Sequence, residues 1–269
     1  MSVISFFFSF GLFRLRCFED IVALTFRICS QSHIGFVKTR NEDRFLSEKN
    51  GPVLAVADGM GGELGGDVAS TEAIRAIAEY APPSGGPSAR ELADLVRQTS
   101  ETIRLKGESD PDLIYMGTTL TAVFFFNTKE NPGGCIRGTF VHVGDSRIYR
   151  LRRGELRLLT HDHRFFQELI DAGDMTLEET RQSPMFNHLD QAVGAPDIEP
   201  ETGFIVPRKG DLYLLCSDGL TDMIDENQVH DILTRPVSVE SMAEALIQAA
   251  LAAGGMDNVT VVLALADIA

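Results

Sequence analysis

The hydrophobic and polar positions of the chain follow two patterns, and the first is typical of β-strands. Short runs of Val, Leu, Ala and Phe are bounded by Gly, Asp or Ser, as expected for strands buried on one or both faces. The pattern predicts strands over residues 53–57, 118–126, 139–143, 147–151, 155–159, 211–216 and 259–265. The three strands between residues 139 and 159 follow one another at hairpin-like spacing, with a turn at Arg153 and Gly154.

The second pattern has the period of an α-helix. Residues 67–80 carry Ala and Ile on one helical face, which predicts an amphipathic helix. After the Pro- and Gly-rich stretch 81–87, Ser88 and Glu91 have the spacing of a capping box that begins a second long helix. Further helices are predicted over residues 163–172, 176–182, 226–233 and 239–253. Because strands and helices come in groups and do not alternate, their order favours an α+β layered domain over a Rossmann-type sheet.

Composition narrows the class of protein. The chain has 269 residues, of which 44% are hydrophobic and 23% are charged, as in ordinary globular proteins and unlike disordered ones. The 24 Lys and Arg against 39 Asp and Glu give a net charge of −15, which argues against a partner held through nucleic-acid phosphates. Most of the surplus acid is expected on the solvated surface, and the remaining question is whether a few carboxylates form a cation site.

The cysteines and the N-terminus bear on the compartment. Cys17, Cys29, Cys135 and Cys216 show no CxxC spacing, so neither a zinc site nor a disulfide framework is expected, and free thiols indicate a cytoplasmic location. Residues 4–13 are nearly all apolar, but this run is about half the length of a membrane-spanning helix, and no Lys or Arg precedes it as in a signal peptide.

Three interpretations of this N-terminal run remain: a peripheral anchor, an extra strand or helix docked on the core, or an overextended translation start, which we favour. We therefore expect residues 1–20 to be an apolar extension of uncertain status, with no stable membrane span, and residues 21–269 to form the folded domain.

Four aspartates occupy the ends of predicted strands. Asp58, Asp145 and Asp218 each follow an apolar run, Asp257 precedes one, and all four have Gly or Ser close by. Each alone is explained as a turn residue. Together they indicate a site for a hard divalent cation such as Mg²⁺ or Mn²⁺, because grouped carboxylates repel one another unless a cation neutralises them. Sequence spacing does not show that the four converge.

Eight short segments carry a resemblance to a known family. They are 35–43 (GFVKTRNED), 58–62 (DGMGG), 66–70 (GDVAS), 116–119 (MGTT), 144–147 (GDSR), 159–163 (LTHDH), 217–220 (SDGL) and 257–260 (DNVT). In these segments and their order, the chain resembles bacterial members of the PPM family of metal-dependent Ser/Thr protein phosphatases (protein phosphatase type 2C). The resemblance covers about residues 25–265. It implies a four-layer α-β-β-α sandwich, with two central antiparallel sheets flanked by antiparallel helix pairs and metals at one end.

The resemblance also implies the roles of individual residues. Asp58 would bridge two metal ions, Gly59 would supply a backbone carbonyl, and Asp218 and Asp257 would complete the shell of one ion. These three aspartates would make up the catalytic set. Asp145, together with Asp218, would hold a weaker third ion.

Outer-shell roles follow in the same way. Glu42 would lie in the water shell of the second ion, and Asn258 would orient the loop of Asp257. Residues 163–194 would form a flap beside the site, and His161 and His163 would belong to the structural turn that leads into it.

The implied reaction is hydrolysis of phosphoserine and phosphothreonine in proteins. Two Mn²⁺ or Mg²⁺ ions would lower the pKa of a shared water, and the resulting hydroxide would attack phosphorus in line and displace the Ser or Thr alkoxide. The expected partners are phosphorylated proteins and the Ser/Thr kinase that the enzyme opposes, and the expected oligomeric state is a monomer.

The sequence departs from the family pattern at three positions. Lys38 stands where an Arg usually clamps the substrate phosphate, so the bidentate fork is lost and weaker phosphate binding is expected. Arg40 is close enough to substitute if the loop shifts, although surface charge is its expected role. Met60 stands where animal members carry a His thought to act as general acid, and Gln191 stands at a flap position where Arg is common.

Two other functional classes remain as alternatives. A non-catalytic PPM-like domain would bind a partner without turnover, but degenerate members typically lose metal-binding aspartates, and Asp58, Asp145, Asp218 and Asp257 are all present. A metal-dependent nuclease would need basic groups for its polyanionic substrate, and the net charge of −15 argues against it.

Overall fold

The computed structural model describes residues 24–47, 53–128, 135–180, 183, 185 and 188–268, so the predicted N-terminal extension lies outside the described residues. Ten of the strands form two antiparallel sheets. The first sheet has the order β1 (Leu24–His33), β12 (Val259–Ile268), β11 (Leu212–Cys216), β8 (Arg147–Arg152) and β9 (Glu155–Leu158). The second has the order β10 (Glu201–Ile205), β7 (Cys135–Val143), β6 (Leu120–Thr128), β3 (Val53–Ala57) and β2 (Arg44–Ser47). A short ladder joins β4 (Gly59–Met60) to β5 (Gly117–Thr118).

The helices are α1 (Gly62–Glu79), α2 (Ala89–Ser109), α3 (Gln167–Ala172), α4 (Leu177–Thr180), α5 (Asp218–Thr221), α6 (Glu226–Leu233) and α7 (Val239–Ala252), with a 3₁₀ turn at Pro111–Leu113. Five of the helices, α1, α2, α5, α6 and α7, cover the outer faces of the two sheets, and α3 and α4 lie in the flap segment. The capping box at the start of α2 is present, since Glu91 N–H donates to Ser88 Oγ and Ser88 N–H donates to Glu91 Oε2. Among the described residues, no helix combines the length and apolar character needed to cross a membrane.

Three apolar clusters show how the layers stack. One joins the first sheet to α5, α6 and α7, and a second joins the second sheet to α1 and α2. The third lies between the sheets, where Leu54 and Phe125 face Tyr213 and Val262. Because both faces of β3, β11 and β12 are covered, these strands read as nearly continuous apolar runs. The predicted α+β fold and four-layer sandwich are confirmed.

The main differences from the predicted elements lie where the apolar signal is weak. All seven predicted strands are present, but β1, β2 and β10 were not predicted, because β1 and β10 mix polar with apolar residues and β2 has four residues. Helix α1 begins at Gly62, five residues before the predicted start, through a glycine-rich turn of low intrinsic helix propensity.

Strand direction determines where the predicted site residues lie. β3 and β7 both pair antiparallel with β6, so they run in the same direction and their C-terminal ends lie at the same end of the second sheet. In the first sheet, β11 ends where β12 begins, with Cys216 opposite Val261. The residues that follow β3, β7 and β11 and precede β12 therefore meet at one end of the sandwich.

Candidate metal centre

Four aspartates gather around Asp58 at this end of the sandwich. Burial raises the pKa of Asp58 well above its ordinary value, and four neighbouring carboxylates raise it further. Those carboxylates belong to Asp43, Asp218, Asp145 and Asp257. Burial likewise raises the pKa of Asp218, with Asp145 and Asp222 as the next contributors. The structure thus brings together the four strand-end aspartates of the sequence analysis, and each negative charge opposes the ionisation of the others.

Two carboxylate oxygens at the site are buried without a hydrogen-bond partner among the described residues. They are Glu42 Oε1 and Asp43 Oδ1. Burial raises the pKa of Glu42. It also raises the pKa of Asp43 to about 6. The hydrogen bond that Ser217 Oγ donates to Asp43 Oδ2 at 2.8 Å lowers the pKa of Asp43, but burial has the larger effect. Buried oxygens of this kind are costly when they are unpaired. The donor set, which is all carboxylate and carbonyl oxygen, therefore fits hard divalent ions such as Mn²⁺ or Mg²⁺.

The backbone around Asp58 is held by the start of the neighbouring strands. Thr119 N–H and the Thr118 hydroxyl both donate to the Asp58 carbonyl at 2.8 Å, and Asp58 N–H donates to Thr119 Oγ1 at 2.9 Å. Asp58 cannot tilt away from its neighbours without breaking these bonds.

Glycines allow two backbone segments to meet beside Asp58. A Cβ on Gly59 would lie 2.9 Å from the Glu42 carbonyl oxygen, and one on Gly66 would lie 2.7 Å from Glu42 Oε1. A larger residue at position 59 would clash first with the Gly66 carbonyl, at 2.1 Å, and one at position 66 would clash with Glu42 and Gly59. The glycines therefore let the Glu42 carboxylate and the Gly59 backbone share the site.

Asn258 connects the Asp257 turn to the loop that carries Lys38 and Glu42. Its Nδ2 donates to the carbonyls of Ile34 at 2.8 Å and Arg40 at 2.9 Å, and its Oδ1 accepts from Glu42 N–H at 2.8 Å. The side chain is 2% exposed. Asn258 thus holds the whole segment 34–42, a wider role than the orientation of Asp257 that the sequence predicts.

Lys38 lies on the loop of residues 34–42 and brings a positive charge to the site. Its Nζ lies 2.8 Å from Asp257 Oδ1. Burial lowers the pKa of Lys38, but the hydrogen bond with Asp257 and the charges of Asp257, Asp58 and Glu42 outweigh it, so the pKa is raised and the ammonium stays protonated. A shallow surface pocket is lined by Lys38, Thr39, Arg40 and Glu42.

Arg164 supplies the positive charge on the other side of the site. This side chain is almost fully buried, and its Nε donates to Asp145 Oδ2 at 2.7 Å. Its Nη2 donates to Asp222 Oδ1 at 3.1 Å and lies 3.6 Å from Asp218 Oδ2. Burial lowers the pKa of Arg164, but the surrounding carboxylates outweigh it and raise the pKa.

His161 and His163, which follow β9, have structural contacts at the flap root, the point near residue 163 where the flap begins. His163 Nδ1 accepts from Gly144 N–H at 3.2 Å, and His161 pairs with Asp171. His142, His163 and Glu201 place ligand atoms within 4.8 Å of one another, but both ring nitrogens of His142 are engaged, with Thr121 and with the His161 carbonyl. Because His142 has no lone pair to spare, these residues are better explained as a structural cluster.

The three departures from the family pattern have different surroundings. Lys38 lies at the site. Met60 pairs with Gly117 in the β4–β5 ladder, and its thioether has no proton to donate. Gln191 Oε1 accepts from Glu199 N–H at 2.6 Å, which joins the end of the flap to the segment that follows it.

Sequence reasoning missed Asp43, Asp222 and Arg164 as members of the site. Asp43 precedes β2, so it shares the strand-end position of the other aspartates, but a four-residue strand gave no signal of its own. Asp222 follows the short helix α5. Nothing local in the sequence distinguishes Arg164 from a surface arginine, because its role depends on carboxylates from two distant segments. These are Asp145 after β7, and Asp218 and Asp222 in and directly after α5.

Comparison with known proteins places the chain in a family. A family model described as protein phosphatase 2C matches residues 31–253. The chain is 40% identical over 244 residues to the Ser/Thr protein phosphatase PstP of Mycobacterium tuberculosis, covering 90% of this chain but 45% of that protein, so it spans about half of that relative's length. It is 37% identical over 239 residues to the Ser/Thr phosphatase stp of Listeria welshimeri, covering 85% of this chain and 91% of the relative.

A solved structure agrees in fold as well as sequence. The catalytic domain of PstP in complex with 2 manganese ions superposes with a TM-score of 0.79 at 40% identity, covering 91% of this chain and 100% of that one. The chain belongs to the protein phosphatase 2C family.

Proposed function

We propose that this chain is a metal-dependent protein Ser/Thr phosphatase. The observation that carries the proposal is the cluster around Asp58, where buried carboxylates from both sheets raise one another's pKa and two buried oxygens have no hydrogen-bond partner in the part of the chain that the structure describes. Such a cluster is unfavourable in the folded protein unless cations neutralise it. PstP, which is bound to manganese in its solved structure, is a relative with the same fold.

The residues present fit two divalent ions. We assign Asp58 as the bridging ligand, the Gly59 carbonyl, Asp218 and Asp257 as further ligands, and Glu42 and Asn258 as outer-shell groups. When bound, the ions lower the pKa of a water that they share and stabilise negative charge on the phosphoryl oxygens during in-line attack.

The protein itself contributes position and charge. Asn258 and the bonds from Thr118 and Thr119 fix the ligand-bearing segments before any ion binds. Ser217 is unsuited to act as a nucleophile, because its hydroxyl donates to Asp43 and its oxygen accepts from Thr260 N–H at 3.0 Å. Lys38 and Arg40 provide positive charge at the pocket where a phosphate monoester would enter.

The surface next to Lys38 supports a protein substrate over a small phosphate ester. Phe36 and Val37, directly before Lys38, are 67% and 57% exposed. Phe36 is held in place by a bond from its N–H to the Gly255 carbonyl at 2.7 Å. An exposed apolar surface beside a phosphate pocket suits the residues that flank a phosphoserine or phosphothreonine in a polypeptide.

Partners and location follow from the same proposal. A phosphatase of this kind would oppose a Ser/Thr kinase, act as a monomer and work in the cytoplasm. Among the cysteines whose side chains the structure describes, Cys29 and Cys216 are free thiols, which supports a reducing compartment. The alternative of a non-catalytic domain is disfavoured because Asp58, Asp145, Asp218 and Asp257 all meet at one place.

Removal of the metal or of one ligand tests the proposed function. With Mn²⁺, we expect the protein to hydrolyse a phosphothreonine peptide, and we expect a chelator or the Asp218→Asn substitution to reduce the rate by about 1,000-fold, since such ions supply several kcal/mol of transition-state stabilisation. Asp225→Asn is the matched control, because Asp225 is an exposed helix cap and Asn caps a helix equally well. Turnover that survives both the chelator and Asp218→Asn would refute the metal-dependent mechanism.

Lys38 is expected to determine the affinity for substrate phosphate. Lys38→Ala should raise KM about 10- to 100-fold with a smaller change in kcat, because a charge-assisted hydrogen bond is lost. Lys38→Arg should lower KM below that of the wild type by restoring the bidentate fork. Arg40→Ala serves as the comparison and should have the smaller effect. Steady-state kinetics of the three variants measure this, and an unchanged KM in Lys38→Ala would remove Lys38 from the phosphate site.

A further inference from the structure

Arg164 places a positive charge where a third divalent ion would have to bind. The family resemblance puts such an ion between Asp145 and Asp218. In the structure, Arg164 Nε already donates to Asp145 Oδ2 at 2.7 Å, and Nη2 lies 3.6 Å from Asp218 Oδ2. The same guanidinium reaches Asp222 Oδ1 at 3.1 Å. One side chain therefore bridges three carboxylates of the cluster.

Burial makes these partners difficult to separate. Arg164 is 6% exposed and Asp145 is 4% exposed, so neither group can exchange its partner for water without a large rearrangement. A fourth carboxylate, Asp162, lies 3.9 Å from Arg164 but is held by Arg147, whose Nε and Nη2 donate to it at 2.9 and 2.6 Å. Two arginines thus neutralise half of the four negative charges on this side of the site.

A divalent ion does not fit beside this guanidinium. Mg²⁺ requires oxygens at about 2.0–2.1 Å in near-octahedral arrangement, and one carboxylate oxygen of Asp145, Oδ2, already accepts an N–H of Arg164, whose Nη2 also lies 3.6 Å from Asp218 Oδ2. An ion placed there would also stand a few ångströms from a buried positive charge, where repulsion is screened little.

We propose that Arg164 is an internal counter-cation that replaces the third divalent ion, so that this chain binds two ions and keeps Asp145 neutralised without metal. The inference rests on the proposed metal site. It assigns Asp145 to Arg164 in place of the third-ion role that the sequence predicts.

The position of Arg164 gives the replacement a structural effect. Arg164 forms an isolated antiparallel bridge with Leu189, and Asp190 N–H donates to the His163 carbonyl at 2.9 Å, so Arg164 lies where the two ends of the flap meet. A covalently attached cation at this point fixes the flap root to the aspartate cluster at any metal concentration. An exchangeable ion would do so only when bound.

Metal stoichiometry tests the inference. Native mass spectrometry of the full chain in millimolar Mn²⁺ is expected to show two ions per chain for the wild type and three for Arg164→Ser. Arg164→Lys retains a cation and should stay at two. Arg152→Ser is the matched control, because Arg152 also holds a buried aspartate, Asp211 at 2.6 Å, but away from the cluster, and it should bind two ions as well.

Crystals of the wild type soaked in Mn²⁺ provide a second measurement that does not depend on any variant folding. We expect no anomalous peak between Asp145 and Asp218. A peak there, a third ion in the wild type, or an Arg164→Ser protein that folds but still binds two ions would overturn the inference and leave the proposed function standing. A wild type that binds no Mn²⁺ would overturn both.

Discussion

Asp58→Asn is expected to inactivate the protein and, at the same time, to stabilise its metal-free form. Activity should fall by about 1,000-fold or more because Asp58 is the proposed bridging ligand. Stability should rise because burial and four neighbouring carboxylates disfavour the charged form of Asp58, so its charge costs folding free energy when no ion is present. We expect a gain of about 1–2 kcal/mol, which for a domain of this size raises Tm by about 2–8 °C.

The pH dependence of this stability difference between Asp58→Asn and the wild type follows from the direction in which the pKa of Asp58 is shifted. A carboxyl group whose pKa is higher in the folded state binds protons more readily there, so its penalty is absent below the unfolded pKa of 3.8 and grows as pH rises towards the folded pKa. The Tm advantage of Asp58→Asn in the presence of a chelator should therefore vanish below about pH 4 and increase as the pH rises from there towards neutrality.

Scanning calorimetry with chelator or with Mn²⁺ measures the stability gain of Asp58→Asn and its dependence on pH. Mn²⁺ should raise the Tm of the wild type by mass action, with a much smaller shift in Asp58→Asn. Asp231→Asn makes the same chemical change at an aspartate whose side chain is 78% exposed, and its Tm should match that of the wild type. If Asp58→Asn were less stable than the wild type without metal, the repulsion within the cluster would have been overestimated.

Asn258→Ala is expected to weaken metal binding without removing any proposed ligand. The substitution leaves the carbonyls of Ile34 and Arg40 and the N–H of Glu42 without their buried partner. We expect a loss of about 2–3 kcal/mol in stability and a roughly 10- to 100-fold higher Mn²⁺ concentration for half-maximal activity, as for other groups that position metal ligands. The value of kcat at saturating Mn²⁺ should fall less.

Two further variants separate positioning from simple loss of stability. Asn258→Asp keeps the acceptor for Glu42 N–H but loses both donors, so its Mn²⁺ requirement should also rise, by roughly the same factor. Asn227→Ala makes the same truncation on the exposed face of α6 and should change neither Tm nor the Mn²⁺ requirement. An Asn258→Ala protein with lower Tm but an unchanged Mn²⁺ requirement would limit Asn258 to a structural role.

The sequence correctly predicted the strands that consist of nearly continuous apolar residues. β3, β11 and β12 are apolar on both faces, so their residues could hardly belong to a surface segment. β1 was missed because its two inward apolar residues, Phe26 and Ile28, are followed on the same face by Ser30 and Ser32, and its pairing with β12 depends on contacts far along the chain. The start of α1 was missed because packing overrides the low helix propensity of its glycines.

The same distinction applies to the site. Asp58, Asp145, Asp218 and Asp257 could be selected because each adjoins a strand, but their convergence follows only from strand order and direction. Arg164 could not be selected at all, since its significance lies in Asp145, Asp218 and Asp222, which come from other segments. Lys38 was selected through the family pattern, and its ion pair with Asp257 was not anticipated.

The pairing of β1 with β12 has a consequence for how the protein matures in the cell. These strands pair along ten residues, from Leu24 opposite Ile268 to His33 opposite Val259, and β12 also separates β1 from β11. During synthesis, Asp58 and Asp145 leave the ribosome long before Asp257 and β12. Contacts of such long sequence separation form slowly. The acidic cluster is therefore completed only after β12 has emerged, so folding of the first sheet and the first capture of metal are expected to be one late event.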